Sequence, residues 1–292
     1  MRLATFADAQ GPRLGAVEGD AIADLSAADP LLPREMLELI GGGAALLARA
    51  VAAAERAPRL PLAAVRLLAP IPRPRRNIFC VGKNYREHAK EFASSGFDAT
   101  GKEVVPEAPV VFSKPPSAVI GPGEAIPSFH DPTASVDYEG EVAVVIGRGG
   151  RRIPRGEALA HVFGYTIVND VTSRTLQHRH RQWLLGKGID GFCPMGPVIT
   201  TAEDFGRPGP QRLSTWVNGE LRQDAALADL IFDIPTLIET ISALITLEPG
   251  DVIATGTPAG VGIGFTPPRF LRPGDVVRIT VSGIGTLENP VA

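Results

Sequence analysis

Asp137-Tyr138-Glu139-Gly140-Glu141 runs directly into Val142-Ala143-Val144-Val145-Ile146, so two carboxylates two residues apart open an otherwise apolar segment. Alternate side chains of a β-strand share a face, which would point Glu139 and Glu141 the same way. Two like charges held together need either water or a cation. Paired carboxylates with open positions suit Mg²⁺ or Mn²⁺, and a solvated acidic strand end is the equal alternative. Asp170 adds a third acid after the strand-like Tyr165-Thr166-Ile167-Val168. A turn there could bring its carboxylate beside the first two, or it could cap a following helix.

A second candidate lies in Asn84-Tyr85-Arg86-Glu87-His88-Ala89-Lys90-Glu91. His88 and Glu91 are three apart, hence on one helical face, where the carboxylate could orient the imidazole and raise its basicity; a surface ion pair is the plainer alternative. Arg86 is either a receptor for a substrate carboxylate or an exposed arginine. The loop Thr255-Gly256-Thr257-Pro258-Ala259-Gly260-Val261-Gly262 is glycine-rich, but it lacks the spacing and the lysine-hydroxyl pair of a nucleotide loop.

These residues need elements to hold them. Arg2 to Asp24 reads as β-rich, and 33–57 as helical, interrupted at Gly41-Gly42-Gly43. Residues 58–76, rich in proline and arginine, read as an extended connection, with Arg73, Arg75 and Arg76 on a solvated face. A boundary near residue 70 would separate a small N-terminal domain from a catalytic domain spanning 71–292. Strands are expected at 77–82, 109–114, 137–146 and 161–168, with a long polar segment, 84–108, between the first two. Asn218-Gly219 marks a hairpin within 212–225. Residues 235–245 form the one clear C-terminal helix, capped by Asp233, with Leu237, Ile238, Ile241, Leu244 and Ile245 facing the core.

The segments 137–146, 169–177, 186–197 and 255–262, in that order, resemble successive signatures of the fumarylacetoacetate hydrolase family over roughly residues 70–290. The resemblance implies a β-rich α+β fold, a rolled mixed sheet with an acidic metal site at one end. It makes Glu139, Glu141 and Asp170 the metal ligands, for Mg²⁺ with Mn²⁺ or Ca²⁺ as alternatives. It makes Lys187 the lysine facing the metal, and gives Gln177 and Thr257 contacts with substrate. His88 and Glu91 become the water-activating pair on a mobile lid at 84–108, whose loop holds Ser94, Ser95, Gly96 and Gly101. A homodimer is also implied. The chemistry expected is hydrolysis of a C–C bond in an acylpyruvate-like 2,4-dioxo acid; an oxaloacetate-type decarboxylase or an isomerase of an unsaturated 2-oxo diacid would use the same metal-enolate site. A metal-stabilised binding protein without turnover is the non-enzymatic alternative. Thr175, Gly188-Ile189 and the basic run around His178 and His180 depart from the family pattern.

Composition narrows the field further. A formal net charge of -3 supplies no basic field for nucleic acid or an anionic membrane. Charged residues interrupt the first 25 positions, and no uncharged apolar run is long enough to span a bilayer, so a cytoplasmic location is expected. Cys80 and Cys193 stand far apart without metal-ligand spacing and read as buried, inert thiols. His130 and His161 have no partner identifiable from sequence.

Overall fold

The structure, a computed structural model, describes residues 1–98 and 104–292. Gly101 of the expected lid loop lies outside the described residues. Twelve strands form one sheet; ten lie on its path, which runs Arg59–Pro61, Ala21–Asp24, Gly11–Glu18, Arg2–Asp8, Cys193–Thr201, Val162–Asn169, Gly140–Ile146, Val252–Ala254, Ile78–Gly82 and Val110–Lys114, while Arg66–Leu67 and Val119–Ile120 pair off it with Arg2–Asp8 and Cys193–Thr201. Most neighbours are antiparallel, while Val252–Ala254 runs parallel to Ile78–Gly82, so the sheet is mixed. Four further strands, Glu220–Ala226, Arg212–Val217, Val276–Val281 and Gly285–Pro290, form a second sheet. The fold is a β-rich α+β fold.

Gly140–Ile146 is buried along its whole length because both faces of the sheet are covered. Val142, Val144 and Ile146 enter one apolar cluster, and Ala143 and Val145 enter another. This is why the segment reads as an unbroken apolar run rather than an alternating one. Antiparallel pairing with Val162–Asn169 sets Gly140 opposite Asn169 and Glu141 opposite Val168.

The connection at 58–76 is more engaged than its composition suggests. Arg59–Pro61 pairs with Ala21–Asp24, and Arg66–Leu67 pairs with Arg2–Asp8. Arg76 is not a solvated cation: it donates to Glu248 and Asp251 at 3.1 and 2.9 Å. The C-terminal helix spans Ile234–Leu244, with Asp233 accepting from the Thr236 amide as expected of a cap. Its apolar face is shorter than expected. Leu237, Ile238 and Ile241 are buried, but Leu244 is 80% exposed and Ile245 43% exposed, because the helix ends as it emerges from the core. The Asn218-Gly219 turn joins Arg212–Val217 to Glu220–Ala226, both residues taking positive φ as a tight hairpin requires. Among the described residues, no helix is long and apolar enough to cross a membrane.

Candidate active site

The strand register assembles the acidic centre. Because Gly140 faces Asn169, the residues just beyond them, Glu139 and Asp170, also face each other. The Asp170 amide donates to the Glu139 carbonyl at 2.8 Å, and the Glu139 amide donates to Asn169 Oδ1 at 3.0 Å. Asp170 is therefore placed by ladder pairing rather than by a turn. It caps no helix, since the next helix, Arg174–His180, begins after Ser173. One oxygen from each of Glu139, Glu141 and Asp170 lies within 4.8 Å of the others, and all three residues are buried.

Cations interleave with these acids. Lys187 Nζ donates to Glu139 at 2.7 Å and to Asp170 at 2.6 Å. Lys114, fully buried, donates to the other Asp170 oxygen at 2.6 Å and to the Val171 carbonyl at 2.9 Å. Arg174 reaches Glu139 at 2.7 Å and Asp137 at 2.8 Å. Four buried carboxylates, Asp137, Glu139, Glu141 and Asp170, thus face three buried cations, Lys114, Arg174 and Lys187. One negative charge is left over.

Glu141 is the carboxylate left without a cation. It accepts a hydrogen bond from the Gly256 amide at 2.8 Å, and no cation pairs with it among the described residues. Burial, then the neighbouring Asp170 and Glu139, push its pKa well above the ordinary carboxylate range. Glu139 behaves oppositely: burial opposes its charge, but Lys187 and Arg174 outweigh burial and hold its pKa below the usual range. Lys187 is held above its ordinary value, because Asp170 and Glu139 overcome the cost of burying it. Three close carboxylates in net negative surroundings fit a hard divalent cation, and an all-oxygen set suits Mg²⁺, Mn²⁺ or Ca²⁺ better than a soft metal.

The 255–262 loop closes one side. Gly256 has φ +106°, and a Cβ there would come within 2.7 Å of Asn84, so only glycine lets the amide reach Glu141. Thr257 lines the pocket, but its hydroxyl donates to the Gly140 carbonyl at 3.0 Å and accepts from Gln223 at 2.7 Å. Its one proton is committed to holding the loop on the strand, which leaves none for a substrate carboxylate in this arrangement.

The helix Arg86–Ser94 closes the other side. His88 lines the same pocket as Glu139 and Glu141, and its Nδ1 lies 3.1 Å from Glu91. The second Glu91 oxygen accepts from the Gly260 amide at 2.9 Å. A carboxylate only accepts, so Nδ1 carries the proton in this pair, and in the neutral imidazole the lone pair is then on Nε2. Lys83, Phe92, Phe112, Gln177 and Trp183 complete the wall. Gln177 is buried against Arg174 rather than solvated. Arg86 is exposed on its helix and does not line the pocket, since the face carrying His88 turns inward and Arg86 lies off it.

Sequence reasoning missed Lys114, Asp137 and Arg174 as members of the charged centre. Asp137 alternates with Glu139 and Glu141, a visible signal, but its partner Arg174 is 37 positions away. Lys114 ends a strand with nothing nearby to mark it. His178, His180 and His130 are exposed, while His161 is buried and holds Arg148 through its backbone carbonyl at 2.7 Å. Cys80 and Cys193 are buried, and burial raises both thiol pKa values, to about 12 for Cys193.

Comparison with known proteins agrees with this architecture. Residues 77–292 match the fumarylacetoacetate (FAA) hydrolase C-terminal family, and residues 1–70 match the Rv2993c-like N-terminal family. The oxaloacetate tautomerase YisK of Bacillus subtilis is 47% identical over 94% of this chain and 94% of its own length. A fumarylacetoacetate hydrolase from Exiguobacterium antarcticum superposes with a TM-score of 0.85 at 43% identity, covering 100% of this chain and 99% of the other. Maleylpyruvate hydrolase from Sphingobium sp. SYK-6, solved with manganese(II) and pyruvate, gives 0.80 at 37% identity, covering 100% and 99%. The chain belongs to the fumarylacetoacetate hydrolase family.

Proposed function

We propose, with membership of that family as the premise, that this chain is a metal-dependent enzyme interconverting the keto and enol forms of a small 2-oxo dicarboxylic acid of the oxaloacetate type. The observation that carries the reading is an oriented imidazole, His88, lining the same pocket as Glu139 and Glu141, two members of a buried cluster of three carboxylates completed by Asp170. A base therefore stands opposite a site for positive charge. Glu139, Glu141 and Asp170 would hold the cation, Mg²⁺ or Mn²⁺. When bound, it supplies a charge that polarises the 2-oxo group and makes the adjacent C–H more acidic.

In the keto-to-enol direction, His88 Nε2 takes a proton from C3. The C3–H bond breaks, its electron pair forms the C2–C3 double bond, and the C2–oxygen π pair moves to the oxygen, which then takes the proton from the His88 imidazolium to complete the enol and restore the neutral base. Glu91 stabilises the resulting imidazolium, and Lys187 places a second positive charge near the developing oxyanion. Arg174 and Gln177 shape the wall against which the acid lies. The helix Arg86–Ser94 acts as a lid that closes over ligand, excluding water from the proton transfer.

The 47% identical tautomerase supports isomerisation over the C–C hydrolysis that the sequence motifs first favour. Hydrolysis of an acylpyruvate is the second reading, supported by the maleylpyruvate hydrolase likeness and by the capacity of a His-Glu pair to activate water. One experiment separates them. Enol oxaloacetate is mixed with the Mg²⁺-loaded protein and followed by ultraviolet absorbance, with carbon dioxide and pyruvate measured in parallel and an acylpyruvate tested alongside. Accelerated loss of enol without carbon dioxide or pyruvate is expected. Release of carbon dioxide would favour decarboxylation, and cleavage of the acylpyruvate alone would favour hydrolysis.

A further inference from the structure

His178, Arg179, His180 and Arg181 lie between two residues of the pocket wall, Gln177 and Trp183, and all four are exposed. None is more than three positions from a wall residue, so each backbone lies within about 11 Å of the pocket's edge. From Arg174 to Ile189 the chain contains no Asp or Glu. The ion pairs in this stretch use Arg174 and Lys187, and none among the described residues uses Arg179 or Arg181. Arg179 and Arg181 thus stand unneutralised at the rim of a pocket on a chain whose overall charge is -3.

Complementing the negative end of the helix Arg174–His180 favours basic residues there. It does not call for arginine at 181, where φ is +57° and glycine would meet the backbone with less strain. An arginine held at such a position next to a pocket has its use in charge. Beyond about 8 Å at physiological salt a net negative surface is largely screened, so a local rim, rather than the whole protein, decides what an approaching anion feels.

We propose that Arg179 and Arg181 form a cationic collar that draws small dicarboxylate anions into the pocket and sets their association rate. This rests on the reading that the substrate is an anionic 2-oxo acid. The collar selects for doubly charged acids over singly charged ones through the on-rate, without touching the reacting atoms.

The test is stopped-flow binding of oxalate to the Mg²⁺-loaded protein across a range of salt, followed by tryptophan fluorescence, since Trp183 lines the pocket. Replacing both Arg179→Gln and Arg181→Gln should lower the association rate about 3- to 10-fold at low salt and flatten its salt dependence, with dissociation nearly unchanged. Arg179→Lys with Arg181→Lys should restore the wild-type rate. Arg151→Gln with Arg152→Gln, beyond the opposite end of Gly140–Ile146, removes the same charge and should leave the rate unchanged. An unaltered association rate, an effect confined to dissociation, or an equal loss in the Arg151/Arg152 control would each overturn the collar, as would failure of wild type to bind oxalate. Because oxalate binding needs no turnover, absence of tautomerase activity with the collar effect intact would remove the proposed reaction and leave this inference standing.

Discussion

The acidic floor and the His88 arm face the same pocket but are built differently. Glu141 lies in a strand and Glu139 and Asp170 directly adjoin strand ends, with the sheet covered on both faces and every member of the charged centre buried. His88 and Glu91 ride on a nine-residue helix of polar composition. That helix is tied down by local contacts: Glu91 to the Gly260 amide, and Asn84 to Phe232 and Thr255. The floor cannot shift without breaking a ladder, whereas the arm can lift by releasing a few hydrogen bonds and the small apolar cluster that Phe92 forms with Trp183, Val261 and Ile263. A site that binds a charged ligand and then excludes water needs both properties.

The largest effects should come from the floor. Glu139→Gln and Asp170→Asn should each lower turnover by more than about 10³-fold, since they remove metal binding and orientation together. Isothermal titration with Mg²⁺ and Mn²⁺ checks the cause, and normal metal binding in both variants would dissolve the assigned centre.

Arm variants should keep the metal and lose rate. His88→Ala is expected to cost roughly 10²- to 10⁴-fold in kcat, with titrated metal affinity close to wild type. If His88→Ala turned over like wild type while Glu139→Gln was dead, the base would lie elsewhere and the arm would serve only as a cover.

Metal and pH probe the floor's charge. In metal-free protein the Glu141 pKa is raised in the folded state, so its contribution favours folding below the unfolded pKa and is lost as pH rises through the folded one. A cation held by Glu141 would favour its charged form and so compete with protons for it. The stabilisation by Mg²⁺, about 2.7 kcal/mol at 100 times Kd, should therefore grow as pH rises above the ordinary carboxylate range. Thermal melts with Mg²⁺ and with chelator read this directly, and a shift that shrinks as pH rises contradicts it. Glu141→Gln should flatten the trend.

The smallest effect belongs to the arm's hinge. Asn84 is fully buried and its side chain makes three hydrogen bonds to Phe232 and Thr255. Asn84→Ala should cost about 1–3 kcal/mol by leaving those backbone groups unpaired. Hydrogen exchange should quicken in Arg86–Ser94 and stay unchanged in Gly140–Ile146; equal acceleration in both would mean the two regions open as one.

Much of this was legible from local pattern. The spacing of Glu139 and Glu141, the apolar run behind them, the Asn218-Gly219 hairpin and the Asp233 cap each depend on residues within a few positions of one another, where periodicity and turn chemistry operate. The relation of His88 to Glu91 is likewise a matter of one helical turn. Only the tertiary structure decided that Asp170 reaches the pair through ladder register, that Lys114 and Arg174 share the neutralisation, and that Thr257 spends its proton on the Gly140 carbonyl. It also decided that Leu244 and Arg86 face outward. Charge compensation in a buried centre acts through space, between groups 17 to 56 positions apart. A one-dimensional pattern records which charges exist, and the fold determines which of them meet.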